Sequence, residues 1–148
     1  GTSKAAAWNC PAAVQMYIGM TKHPRSKDLL EVMRRWEDVR ARKWLTADQK
    51  RMLRDPTRSF HLYKDASGAY DLVEIEMLDV PAAAQRLRAF VFTRGGRRTV
   101  AYWDTAGKGA FALDLGAVKR LDASRLAYLE TDLSVADVKK AFASARPL

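Results

Sequence analysis

Glu74 and Glu76 are the carboxyl groups best spaced for chemistry. On an extended strand alternate side chains share a face, and two carboxyls roughly 5–9.5 Å apart are what cleavage of a glycosidic bond uses, one as acid and the other as nucleophile or base. Val73, Ile75 and Met77 alternate onto the opposite side. Two glutamates on the polar side of a half-buried strand are therefore accounted for by solvation alone. Nothing near them in sequence would raise one carboxyl into a proton donor. The solvated reading outweighs the catalytic one, and no catalytic residue is expected in the chain.

Other combinations fall the same way. Arg94-Gly95-Gly96-Arg97-Arg98 has the glycines and cations of a phosphate cradle but opens no helix, so a hairpin turn with solvated arginines is the better reading. Trp36 and Trp44, eight residues apart, lie on one apolar helical stripe and read as core, as does Trp103 at the end of an apolar strand. Trp8-Asn9 differs. An indole beside an amide just before an expected helix is the one candidate substrate-contacting pair, although a buried aromatic is the competing reading. Cys10 is the only cysteine, and His23 and His61 stand far apart, so neither a disulfide framework, a metal site nor a cofactor is expected. No Gly-x-Ser-x-Gly string or Cys/His signature occurs.

Charge raises a different class. The chain carries a net +9, and Lys22 to Arg58 holds twelve basic against six acidic side chains. A basic binding module for nucleic acid or an acidic protein partner is the alternative this suggests. Glu31, Glu37, Asp28 and Asp38 are interspersed, however, and Glu31–Arg35 has the spacing of a stabilising helical ion pair. A charge-laced exposed helix is preferred, and nucleic acid is not the expected partner. No apolar run approaches the ~20 residues of a membrane span. Lys4 and its alanines, broken by Trp8-Asn9-Cys10-Pro11, do not make a signal peptide. The opening Gly1-Thr2-Ser3 reads as a cloning remnant or as a start inside a longer polypeptide.

The elements that must position these residues follow from periodicity. With 48% hydrophobic and 29% charged residues, the chain has the mixture of a globular protein. Pro11 to Met20 reads as a helix apolar nearly all round, which demands cover on several sides. Ser26 is expected to cap an amphipathic helix with Leu29, Val32, Met33, Trp36, Val39 and Trp44 on its inner face. Thr46 and Gln49 form a capping-box pattern for a shorter helix that must stop before Pro56. From Phe60 the period becomes two. Phe60–Tyr63 and Tyr70–Met77 flank an Asp65–Gly68 loop, and Arg88–Thr93 and Arg98–Trp103 flank Gly95-Gly96. Strands at Ala110–Leu115 and Leu126–Glu130 follow, then a helix capped by Ser134. The apolar runs around Phe90 and Val100 are expected to be central strands, covered on both faces. The fold class is α+β: N-terminal helices (residues 1–56), then an antiparallel, sandwich-like β domain with a C-terminal helix (57–148).

In that order the segments resemble a known group. Ala7-Trp8-Asn9-Cys10-Pro11-Ala12-Ala13-Val14-Gln15-Met16 resembles the turn into the last helix of a (β/α)8 barrel. Arg34–Arg40, Trp44-Leu45-Thr46 and Phe60–Tyr63 are similar to the tail of bacterial glycoside-hydrolase-like proteins, in which helices and a small antiparallel β domain follow the catalytic barrel. Arg88–Phe92 through Val100–Trp103 looks like that domain's core hairpin, and Tyr128–Ser134 like its closing strand and helix. The stretch from Leu115 to Arg125 is short for such a domain, as though a strand pair were missing. The resemblance implies a non-catalytic C-terminal portion of a carbohydrate-active enzyme that braces a catalytic barrel domain or companion chain. The acid and nucleophile would lie upstream, and Trp8-Asn9 near the last loop of the barrel's active face, in reach of carbohydrate.

Overall fold

A computed structural model describes residues 2–12 and 18–148. The architecture is α+β, with helices first, antiparallel strands next and a helix near the carboxyl end. Two compact units divide it, Gly1–Ile75 and Glu76–Leu148. The division comes later than the change from helices to strands at residues 56 and 57, because the first hairpin belongs with the helices.

In the first unit, α1 (Thr2–Ala7), α3 (Ser26–Ala41) and α4 (Ala47–Arg54) accompany the hairpin β1 (Phe60–Lys64) and β2 (Tyr70–Glu74), with a short α2 at Ile18–Lys22. Most of the helix expected over Pro11 to Met20 falls on residues 13–17, outside those described; Pro11 and Ala12 are not helical. Sequence periodicity missed α1, whose Lys-Ala-Ala-Ala run has high intrinsic helix propensity. Ala6, Ala7, Trp36, Val39, Leu45, Leu53 and Leu62 form the unit's core.

Two expectations for α3 are corrected. Ser26 is the helix's first residue, Arg25 occupies the capping position, and no side chain caps that end. The carboxylate of Asp28, 3.2 Å from the Arg25 guanidinium, supplies negative charge to the first turn instead. Trp44 lies past the helix. Lys43 adopts a left-handed φ of 54°, Lys43 N–H donates to Arg40 O and Trp44 N–H to Val39 O, which is the Schellman pattern that closes a helix. The inner stripe therefore ends at Val39, and Leu45 enters the core in place of Trp44, which is 37% exposed and edge-on to Tyr70. Leu29 also points outward, half exposed. The predicted capping box of α4 is present in both directions, at 3.1 Å and 2.9 Å.

The second unit packs two sheets and α5 (Val135–Phe142) around one core. One sheet runs β3 (Glu76–Met77), β4 (Leu87–Arg94), β5 (Arg97–Asp104) and β8 (Ala127–Thr131) in that spatial order; the other runs β7 (Val118–Asp122), β6 (Ala110–Leu115) and β9 (Arg146–Pro147). β4 and β5 are interior, as their double-sided apolar pattern requires. Leu87, Ala89, Val91 and Val100 face Phe111, Leu121, Val138 and Phe142 in the core. Phe90, Phe92 and Ala101, on the opposite side, are also buried. Gly95 and Gly96, with φ of 58° and 76°, make the tight turn between them, a backbone that residues with a Cβ enter only under strain. The stretch from Leu115 to Arg125 holds β7. Its Val-Lys-Arg-Leu-Asp has too few apolar residues to announce a strand, and two-residue β9 is too short to read.

Candidate functional site

Ala5 to Cys10 set the geometry of the Trp8-Asn9 corner. Cys10 N–H donates to Ala5 O at 2.8 Å and Asn9 N–H to Ala6 O at 3.0 Å; Asn9 has a left-handed φ of 57°. This is again a Schellman closure, with Asn9 in the position that asparagine tolerates best after glycine. The pair thus closes α1, a helix the sequence reading did not expect, while most of the helix it was expected to precede lies outside the described residues. The competing expectation of a buried ring is overturned too: Trp8 is 64% exposed.

Sequence reasoning missed the third member of this corner. The guanidinium carbon of Arg54, at the end of α4, lies 4.1 Å from the centroid of the Trp8 ring, a cation–π contact. The same group donates to Ala7 O at 3.0 Å, so it holds the end of α1 and one face of the indole together. Lys4 donates to Asp55 O at 3.3 Å nearby. No local pattern links residues 8 and 54, because only the packing of α1 on α4 joins them. Cys10, also exposed, adjoins the corner, its Sγ 3.7 Å from Trp8 O.

The carboxylate pair does not survive as a pair. The strand expected over Tyr70–Met77 breaks at Ile75, whose N–H donates to Ser59 O. Glu74 pairs in register with Phe60 in the first unit, and Glu76 with Val91 in the second. Each carboxylate has its own cation. Arg58 grips Glu74 through Nε at 2.8 Å and Nη2 at 2.6 Å, and that forked contact holds the Glu74 carboxyl below its usual range. Lys139 of α5 bonds Glu76. Glu74, its carboxyl so lowered, is a poor proton donor near neutral pH.

The arginines of the glycine turn are likewise engaged. Arg97 pairs with Glu130 at 2.8 Å and Asp132 at 2.9 Å, and Arg98 donates to the carbonyls of Asp132 and Leu133. Along α3 and α4, Arg25 pairs with Asp28, Arg34 and Arg35 with Glu31, Arg40 with Glu37, Arg42 with Asp38 and Arg51 with Asp48. The predicted Glu31–Arg35 pair is 3.0 Å long, and the two guanidiniums bring the Glu31 carboxyl down to about 2. Such neutralised cations do not form the one-sided basic face that a helix needs to meet phosphates.

Two further clusters are polar but built inward. His61 on β1 is 7% exposed, and burial, aided by the Arg35 charge, pushes its imidazole down to about 4. Asp104, fully buried at the end of β5, lies 3.3 Å from Arg86 and accepts the Ala106 N–H at 2.7 Å. A Cβ added at Gly109, where φ is 118°, would sit 2.6 Å from the Asp104 carboxylate. Adjoining clefts of about 370 and 400 Å³ run beside α5, sharing Asp114 and Ser144 in their walls. Their Lys119, Lys140, Arg146, Asp114 and Asp137 mix both signs and do not converge on a reacting atom.

Among the described residues, no group of three or more His, Cys, Asp or Glu side chains could hold a metal ion, and no helix is long and apolar enough to cross a membrane. Comparison with protein-family models, with curated proteins and with solved structures finds no match to this chain.

Proposed function

We propose that this chain is a non-catalytic, C-terminal portion of a glycoside-hydrolase-like carbohydrate-active enzyme, bracing a catalytic barrel carried upstream or on a companion chain. One observation carries the non-catalytic part of the reading: the two glutamates best placed for acid–base work are in separate compact units, each tied to a cation. Glycoside cleavage needs one carboxyl with a raised pKa beside one that stays ionised, whereas Arg58 lowers that of Glu74. The carbohydrate part rests on the resemblance of segment order and is supported by the exposed indole of Trp8.

Co-production with the polypeptide encoded immediately upstream of Gly1 tests this. That polypeptide is expected to show a barrel-length alternation of strands and helices, to associate with the 148-residue chain and to hydrolyse a glycoside. Its activity should be unchanged by Glu74→Gln together with Glu76→Gln in the chain. A chain that binds no barrel polypeptide and unfolds cooperatively as an isolated monomer would remove the proposal.

A further inference from the structure

We propose that the corner formed by Trp8 and Arg54 binds an acidic saccharide, stacking a sugar ring on the indole and holding its carboxylate with the guanidinium. This rests on the carbohydrate reading above and names the class of sugar. Trp8 is the most exposed of the four tryptophans, at 64%, and Arg54 lies over only one face of its ring. The other face of a flat indole then offers an apolar platform to the C–H face of a pyranose.

Arg54 supplies the selectivity. A guanidinium carries five N–H donors in a planar fork that matches a carboxylate. Only Nη2 is bonded, to Ala7 O at 3.0 Å; Nε and Nη1 have no hydrogen bond among the described residues. The side chain is exposed yet fixed at two points, so little conformational freedom remains to be lost when an anion arrives. Lys4 adds a second positive charge. The carboxylate of Asp55, next along the chain, is turned to its own turn, accepting from Thr57 N–H at 2.8 Å and Thr57 Oγ1 at 2.7 Å. A single-stranded nucleic acid would also offer rings and anions, but it needs a track of available cations along its backbone. The arginines of α3 are already paired with acids of their own helix.

The test is a titration of the ¹⁵N-labelled chain with trigalacturonate and, separately, with its fully methyl-esterified form, which keeps the rings and removes the charge. Trigalacturonate is expected to shift the Trp8 indole N–H and Arg54 Nε–H resonances and to bind at least about tenfold more tightly than the ester, as a charge-assisted pair should. Trp8→Ala, at an exposed position, should abolish the shift of the Arg54 Nε–H resonance in a chain of unchanged circular dichroism. Arg54→Gln should reduce affinity for the acid to that of the ester. Equal binding of acid and ester at Trp8 would overturn the acidic class while leaving a sugar platform in place. Failure of both to move the Trp8 indole would overturn the site, and so would a short thymidine oligonucleotide that binds there more tightly than the trisaccharide. Association with an upstream barrel is read independently in the co-production experiment, so either idea can fail alone.

Discussion

His61 shows how much a single buried group imposes on its unit. Its imidazole is near 4 in the fold and near 6.5 in an unfolded chain. Between those values the unfolded state binds the proton and the folded state refuses it, so acid favours unfolding. The stability of the first unit is expected to be full above pH 6.5 and to fall by up to about 3 kcal/mol as pH drops to 4. Glu31, with its carboxyl lowered to about 2, adds a second loss only below its ordinary 4.5. Urea melts of the intact chain from pH 7 to 4 should show the first loss, and His61→Leu should flatten it. An unchanged slope in that variant would mean that another group titrates. Neither His61 nor Arg54 was legible as more than a residue type. Nothing in Phe60-His61-Leu62 says that the histidine faces Arg35, and Arg54 meets Trp8 only through packing. Glu74 and Glu76 misled for a related reason: alternation places two residues in one ladder only while a strand keeps its partner, and between them the chain leaves β1 for β4.

Elements were read best where the signal was local. The Thr46–Gln49 capping box, the Gly95-Gly96 turn and the Ser134 cap are each written within four residues, and each is present. Removing the first by Thr46→Ala is expected to cost about 1 kcal/mol, measured as a shift in the urea midpoint of the first unit. Signals that needed the neighbouring element were lost. The stripe on α3 seemed to run on to Trp44 because Lys43 is an ordinary residue in a left-handed position where glycine usually announces the stop. Lys43→Gly should therefore stabilise the unit by roughly 0.5–1 kcal/mol, since the strain it relieves exceeds the freedom it adds to the unfolded chain; a drop in stability would show that the lysine's own contacts outweigh its backbone. Tyr70 Oη, donating to Asp38 Oδ2 at 2.8 Å, ties β2 to α3, and Tyr70→Phe should cost about 1–2 kcal/mol by the same assay.

On the scale of the whole molecule, class and order were legible, and the partition was not. Composition and the switch of period from 3.6 to 2 suffice for α+β. They cannot assign the hairpin Phe60–Glu74 to the helices, because that depends on Leu62 joining Trp36, Val39 and Leu53 in a common core. The second unit has its own core from β4 to α5, and its acid sensitivity should differ accordingly. Hydrogen exchange at pH 4.5 is expected to accelerate at Leu62 and Val73 well before Val91 and Val100. Simultaneous acceleration would show one cooperative body.

Gly109 lies against the Asp104–Arg86 pair so closely that the three positions cannot drift separately. A lineage that acquires alanine at 109 must first displace the carboxylate, and one that loses Arg86 leaves a fully buried acid with less charge to balance it. Descendants of this sequence should accordingly keep all three residues or exchange them as a set.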